Sequence, residues 1–293
     1  MFKKNIFKQS YSKPVLNGED GNDKVYEMIT QGKPFMAGRF GSNEIRVIAD
    51  VLYEKAGGKF GGLSDEVRFK ITNQAGFFPD DREQLYRFQE LFVDCCSQVD
   101  LIGVWEIFLQ DEINKRFLPD AAYSVLETME PYYYEKPWSR ALLHKKVLVI
   151  HPFAETIEKQ YQKREVLFAN KDILPEFELR TVKAVQTIAG QKDERYATWF
   201  EALEDMYAQA MEQDFDIALI GCGAYGFPLA AKIKAAGKQA VHMGGALQLL
   251  FGIKGRRWDN FEPVSELYND AWVRPAENEK VQKSDVVEES CYW

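Results

Sequence analysis

The sequence predicts an open α/β fold, Rossmann-like, with a mostly parallel sheet and helices on both faces. Three observations lead there. Strand-like and helix-like segments alternate along most of the chain, which calls for parallel pairing through right-handed crossovers. The apolar runs VLVI (147–150) and IALI (217–220) are continuous rather than alternating, as in central strands covered on both faces. A hydrophobic strand also runs through a glycine turn straight into a helix at 214–236, the junction at which such sheets place their ligands.

The elements follow in order. Residues 1–22 read as a loosely ordered lead-in ending in NGEDGND, and 24–30 as a short helix. PFMAGRF (34–40) reads as a buried strand stopped by Gly41. Residues 43–55 have helical spacing, with Ile45, Ile48, Ala49 and Leu52 on one face, and a glycine-rich loop follows (Gly57, Gly58, Gly61, Gly62). Helix is expected over 63–95, broken at 76–80, and again over 106–117. Further strands are expected at 99–105, 145–153, 177–185, 214–223 and 238–244, with helices at 155–170, 198–213, 225–236 and from 246. This gives one domain over 1–275, with a helical insertion at about 60–98 and 106–140. A charged, extended tail is expected over 276–293.

Composition narrows the function. The 293 residues can bury a substantial core. The net charge of −8 disfavours nucleic acid, which needs a broad basic field. An anionic ligand must then be held by a local basic pocket. No apolar run reaches the roughly 18 residues of a transmembrane helix. The basic N-terminus lacks the apolar core of a secretory signal. Peripheral membrane association stays open. Cys95, Cys96, Cys222 and Cys291 show no C-x-x-C spacing, so neither a disulfide framework nor a zinc site is expected, and a cytoplasmic location fits.

Gly221-Cys-Gly223-Ala224-Tyr225-Gly226 has the G-x-G-x-x-G spacing between strand and helix. Such a turn lets backbone N–H groups approach a phosphate at a helix N-terminus; the alternative is tight strand–helix packing. Dinucleotide binding fits poorly, because the next strand ends in His242-Met-Gly244-Gly245 and not in an acid. Downstream, Lys254, Arg256, Arg257 and Trp258 form a local basic and aromatic cluster suited to phosphate and ring stacking, or a solvated helix end. Arg39, Gly41, Ser42, Asn43 and Glu44 form a strand-end loop. There Arg39 can meet phosphate and Glu44 a metal or a sugar hydroxyl, unless the two merely pair at a helix start. Glu106 and His151, each just after a strand, are the candidate bases, with His242 and Gln186 as further polar contacts. The absence of G-x-S-x-G, H-E-x-x-H and a Walker lysine disfavours serine hydrolase, zincin and P-loop chemistry.

Gly38-Arg-Phe-Gly-Ser-Asn-Glu44 resembles the R-[FY]-G-D-G-E motif of the GT-D-type glycosyltransferases, and the late glycine turn and GKQAVHMGG block resemble that family's second half. The chain is also similar to uncharacterised proteins encoded among bacterial surface-polysaccharide genes, which share IGCGAYGFPLA, GGALQLLFGIKGRRW and a final CYW. The resemblance to GT-D enzymes leaves 60–200 uncovered. It implies a nucleotide-diphosphate sugar as donor, a glycan or lipid-linked acceptor, and transfer in surface-glycan synthesis. It also implies Mn²⁺ or Mg²⁺ held by two acids. Glu44 matches the second acid, but Ser42 stands where the first belongs. The competing readings are a non-catalytic nucleotide or phosphosugar binder, and another nucleotide-sugar-processing enzyme.

Overall fold

A computed structural model describes residues 11–58, 62–191, 193–280 and 292–293. Gly61, Cys291 and the middle of the expected tail lie outside the described residues.

The strands are β1 (Val15–Leu16), β2 (Phe35–Arg39), β3 (Leu101–Val104), β4 (Ala122–Val125), β5 (Lys146–His151), β6 (Glu178–Lys183), β7 (Ile217–Ile220) and β8 (Gln239–His242). They form one sheet in the order β1-β4-β3-β2-β8-β7-β5-β6, and every pair is parallel. The helices are α1 (Gly18–Thr30), α2 (Ser42–Lys55), α3 (Asp65–Asn73), α4 (Arg82–Cys96), α5 (Gln110–Phe117), α6 (Ala154–Tyr161), α7 (Arg164–Leu167), α8 (Trp199–Met211), α9 (Gly226–Ala235), α10 (Leu247–Leu250) and α11 (Glu262–Ser265).

Alternation along the central strands sorts the core into two layers. Leu148, Ile150, Ala218, Ile220 and Ala240 pack with α2, α3, α4, α8 and α9. Val147, Val149, Ile217, Leu219 and Val241 pack on the other face with α1, α6, α10 and α11. Each of the valine, leucine and isoleucine side chains among them, fully buried, contributes about 1.5–3 kcal/mol. Helix starts are set locally: the side chains of Asn17, Ser64, Asp81 and Thr198 accept backbone N–H bonds at the N-termini of α1, α3, α4 and α8.

Three expectations need correction. The lead-in is ordered from β1 onward, because Asn17 starts α1 well before residue 24. The stretch 106–140 is not a helical insertion: it contains β4, paired with β3, followed by short 3₁₀ turns. Its buried Ser124, bonded to Thr128 and to the Leu16 carbonyl, conceals the strand from an apolar count. The described parts of the tail are not extended away from the domain. Glu279 is buried and caps the N-terminus of α6 by accepting the N–H groups of Glu155 and Thr156. Trp293 is buried in the second core layer.

The topology fixes where a ligand sits. The chain leaves β2 and β7 toward the first layer but β8 and β5 toward the second, so the loops at their carboxyl ends splay apart. This is a switch point, where open α/β sheets bind ligands. Among the described residues no helix is long and apolar enough to cross a membrane.

Candidate functional site

Two adjoining compartments open at those carboxyl ends. The first lies over β2 and β8 and is lined by Arg39, Gly41, Ser42, Asn43, Glu44, Trp105, Gly223, His242, Gly244, Gly245, Arg257 and Tyr292. The second lies over β5 and β7, with His151, Pro152, Phe153, Val185, Gln186, Thr187, Ile188, Cys222 and Tyr225 in its wall. Gln74, Ala75, Gly223, Gly245 and Tyr292 border both. The crevice therefore joins residues 39–44 with 221–226 and 242–257, far apart in sequence.

Arg39 ends β2 and is held on several sides. Its guanidinium lies 4.7 Å from the Trp105 ring centroid, and its Nε donates to the Phe40 carbonyl at 3.3 Å. Trp105 Nε1 donates to the same carbonyl at 3.1 Å, which fixes the indole. Burial draws the Arg39 pKa down, while Tyr292, Glu44 and Glu130 push it back up. It remains a cation in a partly dry setting, where a charge acts more strongly.

Glu44 sits on the first turn of α2. Its carboxylate folds over Gly41, where an added Cβ would come within 2.0 Å of Oε2, so glycine at 41 makes room for it. Burial raises the Glu44 pKa, opposed by its own backbone N–H and by Arg39. Asn43 Nδ2 donates to Gln74 Oε1 at 3.0 Å and ties this loop to the 74–76 turn.

The two histidines hold opposite tautomers. Burial pulls both down to a pKa of about 3, with Arg39 adding to the effect at His242, so both rings are neutral. His151 Nδ1 accepts the Phe153 N–H at 3.0 Å, which leaves its proton on Nε2. His242 Nδ1 lies 3.3 Å from the Ile220 carbonyl, an acceptor, so Nδ1 carries the proton and Nε2 the lone pair. His151 thus presents a donor at Nε2, whereas the base expected there needs a lone pair.

The glycine turn divides by role. An added Cβ at Gly221 would meet the Gly244 carbonyl at 2.6 Å and His151 at 2.8 Å; at Gly226 it would meet the His242 ring at 2.2 Å. Both glycines allow close packing between loops, Gly221 also borders the second compartment, and Ala224 is buried. Gly223, at φ 56°, needs the left-handed region and borders both compartments. Tyr225 stacks on Trp199 at 4.7 Å and forms the floor of the second compartment.

Several predicted residues fall elsewhere. Lys254 lies 5.1 Å from the Tyr268 ring, outside both compartments. The 3₁₀ turn Arg256–Trp258 explains the arginines: with three residues per turn, neighbouring side chains diverge. Both arginines are exposed, but Arg257 borders the first compartment and Arg256 is absent from its wall. Glu106 is exposed and lines a separate pocket with Arg46 and Phe108.

Tyr292 enters the sequence reading only within the final CYW block, with no role given to it. Its ring covers Gly245, where a Cβ would lie 2.3 Å from Cε1, and Arg257 stands 5.3 Å from its centroid. Gln248 Nε2 donates to its carbonyl at 3.1 Å, and the Arg256 N–H to that of Trp293 at 3.2 Å. Gln74 and Thr187 were also unmarked; Gln74 is the C-cap of α3, inside a stretch read simply as helix, and Thr187 lies in the loop after β6.

The metal expected from the resemblance to GT-D enzymes does not suit these donors. Among the described residues no three His, Cys, Asp or Glu side chains stand together. Glu44 is turned onto its own N–H and Arg39, and Ser42 is a weak ligand for a hard cation.

No family model and no curated protein matches the chain. Among solved structures it is similar to "A New Glycosyltransferase (DUF1792) from Streptococcus sanguinis", with 10% identity over 91% of this chain and 96% of that one and a TM-score of 0.49. It is also similar to a structure described as "The highly conserved domain of unknown function 1792 has a distinct glycosyltransferase fold", with 11% identity, 90% and 92% coverage and a TM-score of 0.45. A selenomethionine structure of the same domain shows 11% identity, the same coverage and a TM-score of 0.48.

Proposed function

We propose that this protein is a glycosyltransferase that moves a sugar from a nucleotide-diphosphate sugar to an acceptor hydroxyl. One observation carries the reading: Arg39 and Arg257, from opposite ends of the sequence, border the same compartment at a sheet switch point. Their charges suit a diphosphate, aided by the polar loop 41–44. In the reaction the bond from the anomeric carbon to phosphate oxygen breaks, and the nucleoside diphosphate departs with the electron pair. The acceptor oxygen bonds that carbon and gives up its proton. The two arginines stabilise charge where it develops on the leaving oxygens, which is usually the largest catalytic effect. Glu44 is the carboxylate among the described residues that line this compartment, and its raised pKa suits it to take the acceptor proton. A cytoplasmic place in surface-glycan assembly, with a glycan or lipid-linked acceptor, fits the shared sequence blocks and an acidic chain.

The test is calorimetric titration with UDP and a panel of nucleotides, with product analysis on nucleotide-sugars. Arg257→Ala should weaken nucleotide binding about tenfold or more, consistent with loss of a charge-assisted contact. Arg256→Ala should leave it unchanged. Equal effects of the two substitutions would sink the assignment, and tight nucleotide binding without transfer to any acceptor would favour a non-catalytic binder.

A further inference from the structure

The second compartment is left unfilled by a diphosphate. Its walls are largely apolar, from Phe153, Val185, Ile188 and Tyr225. One fixed donor enters it. His151 is 3% exposed, and with Nδ1 engaged by Phe153 its proton sits on Nε2. No described residue takes a hydrogen bond from that Nε2. That Nε2 is not one of the enclosed atoms left without a partner, so its N–H opens onto the compartment, where a ligand oxygen or a water can accept it. Gln186 borders the same space, and among the described residues no hydrogen bond engages its side chain. Its amide offers a donor and an acceptor together. A donor beside such an amide, between apolar walls, complements a planar ring that bears a carbonyl and an adjacent N–H. A sugar, with hydroxyls on all sides, would leave those walls unmatched.

Resting on the glycosyl-transfer reading, we infer that this compartment holds the nucleobase of the donor, and that His151 Nε2–H is a specificity-determining donor to a ring carbonyl of uracil or guanine. The diphosphate then spans Tyr292 toward Arg39 and Arg257, and the sugar lies near Glu44. Because the ring stays neutral down to a pKa of about 3, this contact does not titrate near neutral pH.

Calorimetry with UDP, GDP, ADP, UDP-glucose and pyrophosphate, on wild type, His151→Ala and His151→Gln, tests the assignment. Wild type should prefer UDP or GDP over ADP by about tenfold, the order expected of one or two neutral hydrogen bonds. His151→Ala should erase that preference without changing pyrophosphate affinity. His151→Gln, whose amide nitrogen reaches close to the Nε2 position, should keep part of it. Thermal melts of both variants establish that they are folded. Equal binding of UDP and ADP by wild type overturns the inference. So does a His151→Ala loss confined to UDP-glucose, which would put the sugar there. Wild-type binding of pyrophosphate but no nucleotide removes the base assignment and spares the diphosphate site; binding of neither overturns both.

Discussion

Replacing Gly245 with alanine probes whether Tyr292 belongs to the crevice. The new Cβ would lie 2.3 Å from Cε1 of Tyr292, with Cδ1 and Cζ at 3.1 and 3.2 Å. Carbon atoms in contact prefer about 3.5–4.0 Å, so the ring must withdraw by roughly 1 Å or more. Its backbone cannot simply follow. Gln248 holds the Tyr292 carbonyl at 3.1 Å, Arg256 holds that of Trp293 at 3.2 Å, and the Trp293 ring is buried. Overpacking of this kind costs about 1–3 kcal/mol. Moving the ring also loosens its contact with Arg257, worth about 0.5–1 kcal/mol, so nucleotide affinity should fall about two- to fivefold. Urea unfolding and calorimetry on wild type, Gly245→Ala, Tyr292→Ala and the double variant form a cycle. In the Tyr292→Ala background the alanine at 245 should cost almost nothing. An equal cost in both backgrounds would refute the reasoning, because the clash would then lie elsewhere.

Two further outcomes follow from the titrating groups. Glu44→Gln should reduce turnover by about a hundredfold or more, the scale of general-base catalysis, with little change in nucleotide affinity; in the wild type, activity should fall as pH drops through the raised Glu44 pKa, and a pH profile for transfer that is identical in both proteins would remove Glu44 from the chemistry. His151 and His242 are each depressed to about 3 in the folded chain, below the ordinary 6.5. The unfolded chain therefore binds more protons below pH 6.5, so the stability these rings contribute is present above 6.5 and lost as pH falls toward 3. The slope is about 1.4 kcal/mol per pH unit for each ring, and urea midpoints measured between pH 7 and 4 should flatten in a His151→Gln variant.

Much of the sheet was legible because its central strands are apolar on both faces and its glycines interrupt them. VLVI and IALI announce β5 and β7 without any help from context. β4 was concealed because Ser124 satisfies its hydroxyl inside the protein, a pairing that no local pattern records. The loop from Arg39 to Glu44 could be read as one half of a site, since its residues are contiguous. The other half could not be resolved to the right arginine: Arg256 and Arg257 are equivalent in a sequence, and only the turn they share decides which one borders the crevice. Gly226 shows a related difficulty. Its spacing suits a phosphate turn, yet the space beside it is taken by the His242 ring.

The place of β8 in the sheet has a consequence for how the protein folds. Phe35 of β2 pairs with Gln239 of β8, so the left half of the sheet meets the right half through the strand made last. Closing so long a segment is slow relative to local pairing. The halves β1-β4-β3-β2 and β7-β5-β6 can each order before β8 zips them together. The first compartment lies at that seam and the second beside it over β7 and β5, so a nucleotide that fills both would bridge the halves and slow their separation. Amide exchange in β8 should therefore respond to ligand more than exchange in the outlying β4 or β6, and the first cooperative opening of the native state should be the one that releases the site.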